Sequence, residues 1–302
     1  MKKNTYSNKN FSFSMLPKNR KEQFGDLFKN RFTTILSIAG VSLLFSIPFL
    51  VSVIFRIYFL SNAAGLNEQD VSYGVNIVNV FFDCTCFITI PTLFICYSGL
   101  INIIKKMTYG EGVFFWHDFA EGVKNNWKYF LITSFIYCGF HIIDDTVVML
   151  LNNQFYSYIP KMIEFVIILP IVLFIISMSS TYNFKNYGHC IKNSFALAFD
   201  KYFISLAFSL AFIALNFVYY LVFIPLIALL VYALFFLIII PVIIIAFYLF
   251  STSRFDKIIN ATDNKEFFHK GLMDEQGIKE TKTLKEKLSE LNFSIRDDID
   301  KK

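Results

Sequence analysis

Long apolar segments that contain almost no charge constrain the fold of this chain more than any other feature. Between Phe32 and Phe250 there are nine Lys or Arg and ten Asp or Glu, and the remaining charge lies in the two short ends. The chain is 55% hydrophobic and 17% charged, whereas a soluble domain carries charge on about 25% of its residues. The pattern therefore indicates an all-α protein that crosses a membrane several times.

Six segments are long enough to span a bilayer core, which needs about 20 mostly apolar residues per helix. We predict the first four spans at about 32–55, 75–101, 129–151 and 162–180. The apolar region 203–250 is too long for one helix, and we predict two helices there with a turn near Tyr219–Pro225. The predicted fold is an all-α membrane protein with six transmembrane helices arranged as three hairpins.

The charge distribution predicts that the chain is divided into three segments. These are a basic cytoplasmic N-terminal segment at 1–31, a six-helix transmembrane domain at 32–250 and a charged cytoplasmic tail at 251–302. The net charge is +5, but the excess lies almost wholly in the N-terminal segment, beside the first span. A basic end in that place is an orientation signal, so we predict no nucleic-acid partner.

The loops indicate the orientation. Residues 60–73, 152–158 and 218–226 contain no Lys or Arg, whereas the connections after spans two and four are basic. Under the positive-inside rule the basic connections face the cytoplasm. We therefore predict a multi-pass protein of the bacterial cytoplasmic membrane with both termini in the cytoplasm.

The segment at about 110–128, between spans two and three, has the pattern of a short amphipathic helix. Aromatic residues recur at helical spacing among polar ones, and both tryptophans of the chain lie here. Such a helix lies at the membrane interface, where tryptophan is favoured. We predict that it contacts the lipid bilayer or a partner protein, and the alternative is an anchor with no partner. Its candidate contact residues are Phe115, Trp116, Phe119, Lys124 and Trp127.

Ionisable residues inside the predicted spans form the second candidate site. Charge in a membrane span is costly and usually faces a bundle interior or a cavity. The residues concerned share the outer half of the membrane: Arg56, Asp83, His141, Asp144, Asp145 and Glu164. This cluster would bind a cation or metal, carry a proton or recognise a solute. The alternative is that Arg56 pairs with an acid and that the acids near residue 145 sit at the outer water boundary.

No soluble-type catalytic signature is present in the sequence. There is no G-x-S-x-G, no H-E-x-x-H and no phosphate-binding glycine loop. The Cys84-x-Cys86 pair has no second Cys pair that would complete a zinc site, and buried cysteines behave as small hydrophobes. We therefore predict that the protein is not an enzyme and uses no cofactor.

The stretch from Pro91 to Phe135 carries a recognisable arrangement of motifs. In order these are Pro91 inside a span, Lys105-Lys106, Gly110-Glu111, Phe115, Asp118-Phe119 and Lys124-Asn125-Asn126-Trp127-Lys128. The arrangement resembles the YesL-like family of bacterial integral membrane proteins, and the resemblance extends over about Phe24 to Asn260. It also includes Ile191–Ala198 and Arg254-Phe255-Asp256-Lys257. The chain departs from that family in its longer N-terminal segment and its charged tail.

The resemblance implies a role rather than a reaction. Members of the family are often taken to be accessory to carbohydrate uptake or use, and no catalytic residues carry over. We therefore predict a non-enzymatic accessory or regulatory component of carbohydrate transport or of an envelope process, with a membrane transporter or envelope protein as partner. The alternative is a small-solute or ion-coupled transporter that uses the outer acidic cluster.

Overall fold

The structure is a computed structural model that describes residues 17–63, 68–150, 159, 162–182, 187–210, 224–260 and 265–272. Every regular element within these ranges is helical. Four helices are long and apolar enough to cross a membrane, and they cover Phe32–Leu60, Ile77–Thr108, Glu164–Thr181 and Pro225–Asn260. The prediction of an all-α protein with several apolar spans is therefore confirmed.

Seven helices carry the labels used below. They are α1 (Arg20–Asn30), α2 (Phe32–Ala63), α3 (Glu68–Thr108), α4 (Phe115–Leu150), α5 (Glu164–Thr181), α6 (Tyr187–Asp200) and α7 (Pro225–Asn260). Residues 202–210 are also helical, and Lys265–Phe267 form one 3₁₀ turn. The third predicted span, 129–151, corresponds to the second half of α4 as far as Leu150, a helix that is not among the four candidate spans. The fifth predicted span is described only to residue 210, so the count of six spans stays a prediction.

The predicted interfacial helix is not a separate element. Residues 115–128 form the first turns of α4, which continues without interruption to Leu150. The prediction of a short independent helix was wrong: no proline lies between Phe115 and the third span, and the helix continues through Gly122, Asn125 and Asn126. A helix of 36 residues is about 54 Å long at 1.5 Å per residue, so it exceeds a bilayer core of about 30 Å.

Two helices each contain a widened π turn shortly before a proline. The π turns cover Glu164–Ile168 in α5 and Phe235–Ile239 in α7, and Pro170 and Pro241 follow. The N–H of Leu169 bonds the carbonyl of Glu164, five residues earlier. Proline has no N–H and its ring clashes with the carbonyl four residues before it, so a local widening of the helix accommodates the ring.

Helices α3 and α4 approach each other closely at two glycines. A β-carbon on Gly122 would lie 2.5 Å from the Asn102 β-carbon and 2.9 Å from the Ser98 carbonyl oxygen. A β-carbon on Gly99 would lie 2.5 Å from the Phe119 ring. Small residues allow such close packing of helices in membranes. The Asn102 amide also donates to the Asp118 carbonyl oxygen at 2.8 Å, which links the same two helices.

A group of residues that we call the polar cap covers one end of the bundle. It consists of α1, residues 108–112, the end of α7 from Asp256, and residues 265–272. Arg20 donates to Asp256 at 2.8 Å, and Gln23 donates to the Thr108 carbonyl oxygen at 2.6 Å. Gly271 has φ +82, and a β-carbon there would overlap the Thr108 carbonyl oxygen. Glycine is therefore required at that position.

Candidate functional site

An elongated, partly open cavity of about 280 Å³ lies between α2, α3, α4, α5 and α7. Its α3 wall runs from Phe82 to Ile101, which is about 28 Å at 1.5 Å per residue. The cavity therefore runs through most of the thickness of a bilayer core. Its lining is mainly apolar, and the aromatic members are Phe49, Phe82, Phe94, Tyr97, Tyr137, Phe165, Tyr232, Phe236, Phe247 and Tyr248.

Ionisable groups gather at one end of this cavity, which we call the polar end. It contains Arg56 from α2, Tyr137 and His141 from α4, and Glu164 from α5. His141 Nδ1 lies 3.2 Å from Glu164 Oε1. The Tyr137 side chain also interacts with the Glu164 carboxylate, and its ring stacks with the His141 ring at 6.5 Å between centroids.

Glu164 is the most deeply buried ionisable residue at the polar end. Its residue exposure is 2%, and it is the first residue of the π turn in α5. The wider turn places Glu164 and Phe165 together on the cavity wall. A buried carboxylate needs hydrogen-bond donors or an opposite charge, and His141 lies within reach of both of its oxygens.

Arg56 is held by neighbours on α3. Its Nε and one terminal nitrogen donate to Asn79 Oδ1 at 3.1 and 2.8 Å, and its guanidinium lies 4.5 Å from the centre of the Phe82 ring. Asp83 follows Phe82 on the same helix and is buried, with 5% exposure. Asp83 does not belong to the cavity lining. The structure thus places three of the six predicted polar residues, Arg56, His141 and Glu164, on the cavity wall.

The remaining predicted polar residues are Asp144 and Asp145. Their backbone belongs to α4, but their side chains lie outside the described part of the structure. They lie about one turn beyond His141 along α4.

Two hydroxyl pairs lie toward the other end of the cavity, and sequence reasoning missed them. Tyr97 lies 3.0 Å from Ser42, and Tyr248 lies 3.0 Å from Thr181. Both tyrosines line the cavity, together with Ser177. Their sequence signal was weak because the chain has 16 tyrosines, many of them in apolar surroundings. Burial without a polar partner would be unfavourable for these tyrosine hydroxyls, and Ser42 and Thr181 supply that partner from behind the cavity wall.

The predicted interfacial residues separate into two groups. Phe115 and Phe119 pack against the buried core, whereas Trp116 is 68% exposed and Trp127 is 41% exposed. Lys124 is exposed as well. The outward face of the first turns of α4 therefore carries two tryptophans and a lysine, and Phe114 adds a further ring with 76% exposure.

A cluster of metal-ligand type lies beside that face. One ligand atom each from His117, Asp118 and Glu121 falls within 4.8 Å of the others. However, Lys106 Nζ lies 2.8 Å from Asp118 and 2.7 Å from Glu121. The ammonium group thus occupies the position that a cation would need. We interpret the cluster as an ion-pair network that ties α3 to the start of α4.

The Asp118 carboxylate should make folding sensitive to acid. Burial opposes its ionised form, but hydrogen bonds from Lys106, from the Phe114 N–H and from His117 outweigh burial and lower its pKa. A depressed folded-state pKa contributes stability above the unfolded pKa of about 3.9, and this contribution is lost as pH falls through the lower, folded pKa. We expect Asp118→Asn to cost about 1.5–3 kcal/mol near neutral pH.

The measurement is chemical unfolding of the purified protein at several pH values between about 6 and 3, a range chosen to bracket the reference pKa. The difference in unfolding free energy between native protein and Asp118→Asn should shrink toward the acid end. Glu121→Gln is the control, because Glu121 is 42% exposed in its side chain and an exposed pair contributes little. A difference that does not change with pH would contradict the role of the Asp118 charge.

Comparison with known proteins yields no match: no protein-family model, no curated protein and no solved structure matches this chain. The resemblance to the YesL-like family therefore stays a prediction. The candidate function rests on the cavity, on the groups at its polar end and on the exposed face of α4.

Proposed function

We propose that the protein binds a small, mostly apolar solute inside its helix bundle and moves it across the membrane as a transporter. The observation that carries this proposal is the elongated cavity, with Arg56, His141 and Glu164 at its polar end. Cavities that bind small molecules are largely apolar and contain a few well-placed polar groups. The volume of about 280 Å³ is near the low end of such sites, at about 300–1,000 Å³.

Two further features support a binding cavity rather than a packing defect. Ionisable residues within membrane spans are costly and commonly mark solute or ion pathways. Both π turns that precede a proline border the cavity, through Phe165 in α5 and Phe236 in α7. Such turns are frequent at functional sites.

The transporter proposal includes a membrane topology. We propose six spans, with both termini in the cytoplasm of a bacterial cell. Four long apolar helices and the loops without Lys or Arg support this arrangement. The polar end of the cavity then faces the outside, and the polar cap lies at the cytoplasmic side.

The cavity can be tested with two identical substitutions on α2. Val53 lines the cavity and is 5% exposed, whereas Val51 is 43% exposed on the outer surface of the bundle. Val53→Phe places a ring in the cavity, while Val51→Phe places the same ring outside it. We expect native protein and Val51→Phe to be stabilised against heat by 4-phenylbutanol, because a ligand that binds only the folded state raises its stability.

Val53→Phe should lose most of that stabilisation while it remains folded without the solute. The readout is the shift of the unfolding temperature in lipid nanodiscs over a range of 4-phenylbutanol concentrations. Equal stabilisation of both variants would place the alcohol in the lipid or on the surface and would contradict the proposed cavity site. An absence of stabilisation in the native protein would contradict it as well.

A second candidate function is the non-enzymatic accessory role in carbohydrate transport or an envelope process. The observation that favours it is the exposed face with Trp116, Lys124 and Trp127, together with the resemblance to the YesL-like family. Aromatic residues are enriched in the cores of protein interfaces. Under this reading, a transporter or envelope protein binds that face.

The accessory role predicts a stable complex with a membrane protein partner. Trp116→Ser with Trp127→Ser should release a partner that copurifies with the native protein in mild detergent. Phe115 and Phe119 are unsuitable test positions because they pack against the core. Phe203→Ser is a control, since Phe203 is 84% exposed elsewhere. A complex that survives the double substitution would exclude this face as the binding site.

A further inference from the structure

We propose that residues 265–272, which we call the strap, are a latch at the cytoplasmic end of the cavity, and that release of the Phe267 ring opens the cavity to the cytoplasm. This inference rests on the proposed function, since a transporter must open its binding site to each side of the membrane in turn. Three observations carry it: the layer of side chains that ends the cavity, the contacts of the Phe267 ring with that layer, and the way the strap is held.

The cavity ends, away from its polar end, at side chains that join three helices. Tyr248 of α7 lines the cavity, and its hydroxyl lies 3.0 Å from the Thr181 hydroxyl at the end of α5. Lys105 of α3 donates to the carbonyl oxygens of Ser180 and Thr181 at 2.9 and 3.2 Å. Tyr248 also interacts with Tyr109, which follows α3. These contacts must break before a solute can pass between the ends of α3, α5 and α7.

The Phe267 ring contacts this layer from the polar cap. Its centroid lies 5.9 Å from that of the Tyr109 ring and 5.8 Å from that of Tyr182, the residue after α5. The Lys105 ammonium nitrogen lies 6.0 Å from the centre of the Phe267 ring. Aromatic pairs and a cation near a ring both stabilise such contacts. One side chain of the strap therefore holds the ends of α3 and α5 together.

The strap is held to the bundle by side-chain contacts. Arg20 and Gln23 of α1 donate to strap carbonyl oxygens at 3.0 and 3.2 Å, and Lys270 forms an ion pair with Glu111 at 2.8 Å. The side chains of that ion pair are 38% and 41% exposed, and exposed pairs contribute little to stability. An element with few buried contacts opens at a lower free-energy cost than the whole fold. The strap is therefore suited to release while the helices stay folded.

The test measures access to the cavity from the cytoplasmic side. Ser177 lines the cavity on α5, one turn before Thr181, and is 2% exposed. Ser177→Cys places a thiol there. A charged, membrane-impermeant methanethiosulfonate would be added to sealed vesicles whose cytoplasmic side faces outward, and mass spectrometry would give the labelling rate of the introduced thiol separately from the native cysteines. We expect slow labelling while the strap is in place.

Phe267→Ala, added to Ser177→Cys, should raise that labelling rate about tenfold, because labelling follows the population of the locally opened form. Phe268→Ala is the matched control. It removes the same ring from the next residue, which is 37% exposed and stacks on its neighbour within the strap, so the rate should not change. Cys96 and Cys138 are buried outside the cavity lining. They should stay unlabelled in both variants, which distinguishes an open cavity from an unfolded protein.

A second variant keeps the test decisive if Phe267→Ala does not fold. Lys270→Gln removes the ion pair with Glu111 and the ammonium group that lies 5.7 Å from the centre of the Phe267 ring. Labelling of the introduced thiol should again become faster, by a smaller factor than in Phe267→Ala. Lys257→Gln, the same change at an exposed lysine outside the strap, should leave the rate unchanged.

The outcomes separate the latch from the proposed function. Labelling at the parent rate in the folded strap variants would overturn the latch, even where 4-phenylbutanol stabilises the native protein and Val53→Phe abolishes that stabilisation. Faster labelling in the strap variants, with no stabilisation of the native protein by 4-phenylbutanol, would support the latch and contradict the solute site. An equal increase in Phe267→Ala and Phe268→Ala would overturn the assignment of Phe267.

Discussion

Replacing Asp256 or Arg20 of the polar cap should cause one of the two largest losses of stability in this protein. The side chains are 4% and 7% exposed, and their ion pair is 2.8 Å long. Asp256 also accepts hydrogen bonds from Asn260 and from the His269 N–H. Arg20→Met leaves this buried carboxylate without its opposite charge. Removal of one partner of a buried pair costs about 3–5 kcal/mol, which is a large share of the stability of most domains.

The measurement is the free energy of unfolding of Arg20→Met in detergent or nanodiscs, compared with Lys21→Met. Lys21 is the next residue of α1 and is exposed, so the control removes the same charge from the same helix without uncovering a buried acid. We expect a change within about 0.5 kcal/mol for Lys21→Met. Similar values for the two variants would show that the Arg20–Asp256 pair does not hold α1 to the end of α7.

Two glycine-to-alanine substitutions on α4 should have opposite effects on stability. The β-carbon of Gly122→Ala would lie 2.5 Å from the Asn102 β-carbon and 2.9 Å from a backbone oxygen. Neither atom is the far end of a flexible side chain, so α3 and α4 must move apart. Overpacking of this kind costs about 1–3 kcal/mol, occasionally more, and here it also threatens the hydrogen bond from Asn102 to the Asp118 carbonyl oxygen.

Gly139 provides the matched control, because a β-carbon there meets no atom within 4 Å. Alanine is favoured over glycine inside a helix by about 0.5–1 kcal/mol, so Gly139→Ala should be neutral or stabilising. Unfolding curves of both variants under the same conditions give the comparison. Gly122→Ala with the stability of the native protein would mean that the helices can separate at this crossing without cost.

The amino-acid sequence was sufficient to predict the all-helical class and the approximate positions of the four long apolar helices. The reason is that a helix in a membrane core must be long and uncharged and must satisfy its backbone hydrogen bonds internally. Long uncharged segments are directly visible in the sequence. The predicted span beginning at Phe32 corresponds to α2, and the apolar region before Phe250 forms the larger part of α7, which continues to Asn260. The predicted break before Tyr129 failed because aromatic and polar residues at 115–128 continue the helical periodicity of α4 instead of ending it.

The candidate site could be predicted only in part. Ionisable side chains are energetically costly inside a membrane, and this cost drew attention to Arg56, His141 and Glu164. However, sequence spacing could not show that His141 and Glu164, which are 23 residues apart, make contact. The same reasoning included Asp83, yet Asp83 lies off the cavity lining. Depth along a helix is readable from sequence, whereas the face that a residue presents depends on how the helices pack.

The polar cap illustrates a different limit. The basic N-terminal segment was interpreted as an orientation signal, and its individual residues had no predicted partners. In the structure Arg20 lies against Asp256, which is 236 residues away. Pairs at such separation leave no local pattern, and no spacing rule would have connected them.

Photo-crosslinking tests the central claim, that the bundle binds a solute in its cavity, most directly. A 4-phenylbutanol derivative with a diazirine on its ring would be irradiated with the protein in nanodiscs, and the labelled residues would be mapped by mass spectrometry. The account predicts labelling that is competed by 4-phenylbutanol and that falls on cavity-lining residues such as Val53, Cys86 and Val172. Competed labelling confined to residues on the outer surface, such as Val51 and Ile88, would contradict it.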